Sequence, residues 1–182
     1  MKNIALIGFM GAGKTTVAAL LSKELNLSLV ETDIAIIRLS GLTSVNDIFD
    51  KKGEEYFREL EKKVIAEVTK NNNQVISCGG GVISSAESMQ ALKNNAIVIF
   101  LHASFDEIKD RLKNSTNRPL FRHEEKAMLV YAERLPIYER YADEIIDTDN
   151  KKPEEIVQYI INKYKNNETI RNQKHLANIR QC

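Results

Sequence analysis

Tryptophan is absent from the 182 residues, cysteine occurs twice and proline three times. The two cysteines, Cys78 and Cys182, belong to no CxxC or Cys/His pattern, which excludes a disulfide scaffold or a cysteine-held metal and predicts a reducing setting. Eight glycines and three prolines in a chain that is 43% hydrophobic and 28% charged exclude disordered, collagen-like and low-complexity classes. No apolar run is long enough to span a bilayer. The N-terminal run from Ile4 to Phe9 is interrupted by glycines and lacks the cleavage site of a signal peptide, so the expected location is the cytoplasm, with no membrane partner.

An excess of one charge is lacking too. Lysine and arginine number 26 against 25 acids, and without a basic face no nucleic-acid partner is expected. The balance is uneven only in the tail, where residues 162–182 carry Lys163, Lys165, Arg171, Lys174 and Arg180 against Glu168 alone. That polar tail, residues 166–182, reads as a loosely docked extension, while residues 1–165 read as one domain.

What is present is an alternation of short apolar runs with longer amphipathic stretches, the pattern of a parallel sheet covered by helices. The runs are 3–8, 27–32, 74–78, 97–101 and 144–147; helices are expected near 14–25, 34–39, 54–70, 85–93, 104–113, 124–141 and 153–164. The fold class this predicts is α/β, a five-stranded parallel sheet in a three-layer α/β/α arrangement.

The strongest motif lies between the first strand and first helix. Gly8-Phe9-Met10-Gly11-Ala12-Gly13-Lys14-Thr15 matches G-x-x-x-x-G-K-[ST] in full. Glycines let successive N–H groups point at phosphate oxygens, and the following helix adds the positive end of its dipole. Lys14 would reach the terminal phosphates and the Thr15 hydroxyl would ligate Mg²⁺. The motif predicts a nucleoside triphosphate binder without saying where the phosphate goes.

Later residues suggest an acceptor. Glu31 and Asp33 close the second run, where ligands of open α/β sheets bind, and two acids spaced by one residue on extended chain point the same way. They suit holding a metal's water and taking a hydroxyl proton; a helix N-cap role for Asp33 is equally open. Arg58 and Glu61 share a helix face and, taken alone, read as a surface ion pair. Gly79-Gly80-Gly81 after the third strand suits close approach of main chain to a ligand. Arg118 lies in a polar segment that suggests a lid, about residues 112–124, closing over the phosphates. Pro136 in Arg134-Leu135-Pro136-Ile137-Tyr138 predicts a kink that aims Arg134 inward, although a kinked surface helix would look the same.

Together GFMGAGKTT, ETD, FRELE, GGG, NRPL, RLPIY and the turn at Lys151-Lys152-Pro153 resemble, over residues 1–162, the shikimate kinase family of nucleoside-monophosphate-kinase-like P-loop proteins. The resemblance implies a P-loop kinase architecture with a mobile lid, transferring the γ-phosphoryl group of ATP, with Mg²⁺, to the 3-hydroxyl of shikimate on the route to aromatic amino acids. It implies that Gly11, Ala12, Gly13, Lys14, Thr15 and Thr16 wrap the phosphates. Arg118 meets the γ-phosphate, Arg111 lies against adenine, and Lys151 aids it. Thr15 and, through water, Glu31 hold magnesium. On the acceptor side, within a shikimate-binding region of about residues 33–61 and beyond it, Asp33 is the candidate base and Arg58 and Arg134 grip the carboxylate. Glu61 orients Arg58, and backbone from Gly79 to Gly81 lines the pocket. The catalytic set is then Asp33, Lys14 and Arg118, in a monomer.

Three departures from the family pattern are Glu31 for the usual aspartate, Thr15 where serine is commoner, and the long tail. Two other readings are a gluconate or nucleotide kinase of the same architecture and a nucleotide-dependent switch module. Arg58, the triple glycine and Arg134 favour a cyclic hydroxy-carboxylate over the former, and the latter leaves Asp33 and Arg134 without a role.

Overall fold

The computed structural model describes residues 2–113 and 124–164. The apolar runs become β1 (Asn3–Ile7), β2 (Ser28–Glu31), β3 (Gln74–Ser77), β4 (Ala96–His102) and β5 (Glu144–Asp147). They form one parallel sheet in the order β2-β3-β1-β4-β5. Every residue of β1 is buried. Because successive side chains point to opposite faces, that pattern requires cover on both faces, and this is the expected α/β class.

Asn3 is polar yet fully buried, and it sets where β3 begins. Its Nδ2 donates to the Asn71 carbonyl at 2.7 Å and its Oδ1 accepts from the Gln74 N–H at 3.0 Å. From there Ile4 registers with Val75 on one side and Ile97 on the other. The chain runs from β1 to β2 and β3 on one flank, then crosses to β4 and β5 on the other. That places a crevice beyond the carboxyl end of β1, where open α/β sheets bind ligands.

The helices are α1 (Lys14–Leu25), α2 (Thr32–Ser40), α3 (Val45–Val68), α4 (Ala86–Asn95), α5 (Phe105–Leu112), α6 (Glu124–Tyr141) and α7, residues 153–164. The helix expected from 54 begins instead at Val45, with the Ser44 hydroxyl accepting from the Asp47 N–H at 3.0 Å. Gly53 leaves helical geometry (φ 85°, ψ 172°), which separates the apolar periodicity of the two halves and masks the first in the sequence. Across that break Phe49 and Phe57 stack with centroids 4.8 Å apart. They join a small core of Ile36, Ile48, Phe57, Leu60 and Val64, distinct from the main core over the sheet. Each such side chain contributes about 1.5–3 kcal/mol by burial, so α2 and α3 form a unit rigid enough to carry site residues.

α6 spans the expected 124–141 and carries Pro136 inside it. The segment expected as a lid and its Arg118 lie outside the described residues except at its edges, as does the 166–182 tail. Among the described residues no helix is long and apolar enough to cross a membrane.

Candidate active site

The loop from Gly8 to Gly13 joins β1 to α1 at the crevice. Gly13 is the N-cap of α1 with φ 89°, a left-handed conformation, and no side chain caps the helix. The first turn of α1 thus presents the positive end of its dipole to the crevice, the arrangement that favours an anion at a helix N-terminus. Lys14 Nζ donates to the Gly8 carbonyl at 2.9 Å and the Phe9 carbonyl at 3.0 Å, which arches the ammonium over the loop it belongs to.

A cavity of about 320 Å³ opens there. Gly11, Gly13, Lys14, Thr15 and Thr16 line it, and so do Glu31, Asp33, Gly79 and Gly80. The phosphate loop thus shares one cavity with Glu31, Asp33, Gly79 and Gly80 of the expected acceptor side, although these follow β1, β2 and β3. The donors are N–H groups, hydroxyl and carboxylate oxygens, the set that suits a nucleotide with a hard cation such as magnesium.

The two acids reach the cavity differently from expectation. Glu31 ends β2 in extended geometry and is the N-cap residue of α2, but its side chain makes no capping bond. Asp33 lies in the first turn of α2, so it is not the N-cap, and the pair does not share an extended segment. Thr32 between them is fully buried, and its Oγ1 accepts from the Gly79 N–H at 2.9 Å. That bond ties the acidic corner to the glycine run. Sequence reasoning missed Thr32; its only signal was a hydroxyl residue enclosed by the two acids.

The glycines at 79 and 81 answer to packing. A Cβ on Gly79 would lie 2.5 Å from Asp33 Oδ1, and one on Gly81 would lie 2.7 Å from Arg58 Cζ. Gly79 and Gly80 face the cavity, while Gly81 lies against Arg58.

Arg58 and Glu61 are not a surface pair. Glu61 is 1% exposed, Arg58 19%, and Nη1 donates to Glu61 Oε2 at 2.7 Å. Glu54 Oε1 accepts from Arg58 Nη2 at 3.1 Å, so the guanidinium is held from two sides. Burial pushes the Glu61 carboxyl above its ordinary value, opposed by the Arg58 charge and hydrogen bond, with Asp33 raising it further and Arg134 lowering it. Glu61 Oε1 is buried without a hydrogen-bond partner. On the other side Arg134 Nη1 donates to the Gly80 carbonyl at 3.4 Å. Neither arginine lines the cavity itself; Arg134 stands against Gly80, which does, and Arg58 against Gly81 beside it.

The expected base-side residues converge at the end of β5. Arg111 Nη2 donates to the Thr148 carbonyl at 2.7 Å and Nη1 to Thr148 Oγ1 at 3.2 Å, while Nε is held by Glu107 Oε1 at 2.9 Å. Its Nη1 also reaches the Gly11 carbonyl at 3.4 Å, bridging the phosphate loop to that turn. Lys151 Nζ donates to the Asp147 carbonyl at 2.8 Å. Cys78 lines the cavity as a buried thiol whose pKa burial pushes up, so it stays protonated and is a packing residue.

The family model described as shikimate kinase matches residues 10–165. The chain belongs to the shikimate kinase family. A shikimate kinase of Dehalococcoides mccartyi is 42% identical over 169 residues, 90% of this chain and 96% of the relative. The solved shikimate kinase from Acinetobacter baumannii in complex with shikimate is 34% identical, with a TM-score of 0.86 over 92% of this chain and 94% of its own. A gluconokinase from Sinorhizobium meliloti, 17% identical with a TM-score of 0.57 over 86% of this chain and 87% of its own, shares the fold alone. Shikimate kinase family membership bears out the fold, the nucleotide use and the kinase chemistry expected from the sequence.

Proposed function

We propose that this chain transfers the γ-phosphoryl group of ATP to the 3-hydroxyl of shikimate, as a cytoplasmic monomer, with Asp33 as the base. The observation that supports this reading is a cavity lined both by Gly11, Gly13, Lys14, Thr15 and Thr16 of the phosphate loop and by Asp33, Gly79 and Gly80. Donor and acceptor phosphoryl sites in one cavity allow direct in-line transfer without a covalent enzyme intermediate.

Asp33 aligns the acceptor hydroxyl and takes its proton as the new O–P bond forms and the bond to the ADP oxygen breaks. Lys14 stabilises charge on the moving group, with Arg118, by family resemblance, sharing that role. Magnesium, when bound, neutralises charge on the phosphate oxygens; Thr15 and, through water, Glu31 would hold it. Arg58 and Arg134 grip the carboxylate, since paired guanidinium groups read a carboxylate by bidentate hydrogen bonds. Arg111 and Lys151 serve the base side of the nucleotide.

The test is ADP release from MgATP with shikimate, gluconate and nucleoside monophosphates offered separately. Release that depends on shikimate alone is expected. Release with another acceptor would keep the nucleotide site and overturn the acceptor assignment. Asp33→Asn is expected to lower turnover by about 10²- to 10⁴-fold, and near-normal turnover would remove Asp33 from the role of base.

A further inference from the structure

Tyr138 is a polar residue in the main core, 1% exposed, with its ring stacked on Phe100 at 5.0 Å and 16° between planes. Its hydroxyl donates to the Gly80 carbonyl at 2.5 Å. The same carbonyl accepts from Arg134 Nη1 at 3.4 Å, and Arg134 stands one turn earlier on the same face of α6. Gly80 in turn packs close to the phosphate loop, where a Cβ would lie 3.5 Å from the Gly8 carbonyl oxygen and from the Met10 nitrogen. One peptide carbonyl therefore sits between both halves of the site and has two donors, of which the neutral one is much the closer.

We propose that Tyr138 is a positioning residue for the acceptor: its hydroxyl holds the Gly80 carbonyl so that Arg134 is free to leave that carbonyl for the acceptor carboxylate. The inference rests on the reading of Arg134 given above. A partly buried carbonyl needs a donor, and losing its last one costs free energy. With the phenol in place, Arg134 turns away at little cost, because the closer hydrogen bond remains. Without it, the guanidinium is the one donor to this carbonyl among the described residues, and binding the carboxylate strands the peptide oxygen. Burial pushes the pKa of the phenol up, so the hydroxyl keeps its proton across the working pH range. Stacking on Phe100 holds the ring whether or not the hydroxyl is there.

The experiment is steady-state kinetics of Tyr138→Phe, Arg134→Ala and the double variant, each checked by thermal melting. Tyr138→Phe is expected to raise the KM for shikimate by about three- to tenfold, the loss of one hydrogen bond, with the KM for ATP and the saturated turnover within about twofold of the parent. In the Arg134→Ala background the same change is expected to add no further rise, because no guanidinium remains to be released. An unchanged KM for shikimate in Tyr138→Phe, full additivity in the double variant, or a Tyr138→Phe protein that no longer folds would each overturn the proposal. Arg134→Ala with an unchanged KM for shikimate would instead overturn the reading of Arg134 on which it stands.

Discussion

Gly79→Ala isolates the position of the proposed base, Asp33, from its chemistry. Gly79 does not occupy the left-handed region, so alanine meets no backbone strain there, and the whole effect of the added carbon falls on what it touches. That carbon would lie 2.5 Å from Asp33 Oδ1, 3.5 Å from Asp33 Cγ and 3.3 Å from Glu61 Oε1. Ordinary contact starts at 3.4 Å, so the Asp33 carboxylate must retreat by about 0.9 Å. A carboxylate can do so by rotating, which costs little stability. Catalysis is less tolerant, because a misplacement of about 1 Å lowers rates by about a hundredfold, or about 2.7 kcal/mol of barrier. Shikimate-dependent ADP formation measured at saturating substrates should therefore fall by about two orders of magnitude in Gly79→Ala. The KM for ATP and the melting temperature should stay near the parent values. A turnover number within about twofold of the parent would refute the placement of Asp33 at the reacting oxygen.

Three further outcomes are expected. Thr32→Val keeps the shape but leaves the buried Gly79 N–H without its acceptor, which should destabilise the fold by about 1–3 kcal/mol in urea unfolding; no loss would mean that the 2.9 Å bond is not formed in solution. Burial holds the Glu61 carboxyl above its ordinary 4.5, so Glu61 takes up its proton at a higher pH than an exposed glutamate and Arg58 then loses the buried one of its two charged partners. The KM for shikimate should accordingly rise as pH falls through a midpoint above 4.5, and this limb should vanish in Glu61→Gln; a limb that survives would assign it to another group. Phe57→Ala removes a ring from the core shared by α2 and α3, with an expected loss of about 3–5 kcal/mol in stability and a weakened hold on shikimate at temperatures where the protein stays folded; an unchanged melt would deny that this core supports the site.

Much of the molecule was legible along the chain. The apolar runs located all five strands to within a residue or two; for β1, β3 and β4 the reason is that strands buried on both faces are nearly continuously apolar. The phosphate loop could be read residue by residue, since each glycine and Lys14 act within a few positions of one another. Helix 45–52 was not legible, because Gly53 breaks the pattern and burial there depends on Phe57 and Ile36, which are remote from it or across the break.

By itself, then, the sequence determined the α/β alternation, the anion-binding loop and the order of motifs, all of which rest on interactions between near neighbours. Only the tertiary structure decided the strand order, and with it the meeting of Asp33, Glu61, Gly79 and Arg134 from four separate elements. It turned a helical Arg58–Glu61 spacing, by local rules a surface pair worth a few tenths of a kcal/mol, into a buried brace. It also brought Thr32 and Tyr138 onto the backbone of the glycine run, 47 and 58 residues away. Burial is set by what packs from elsewhere in the chain, and no local period records it.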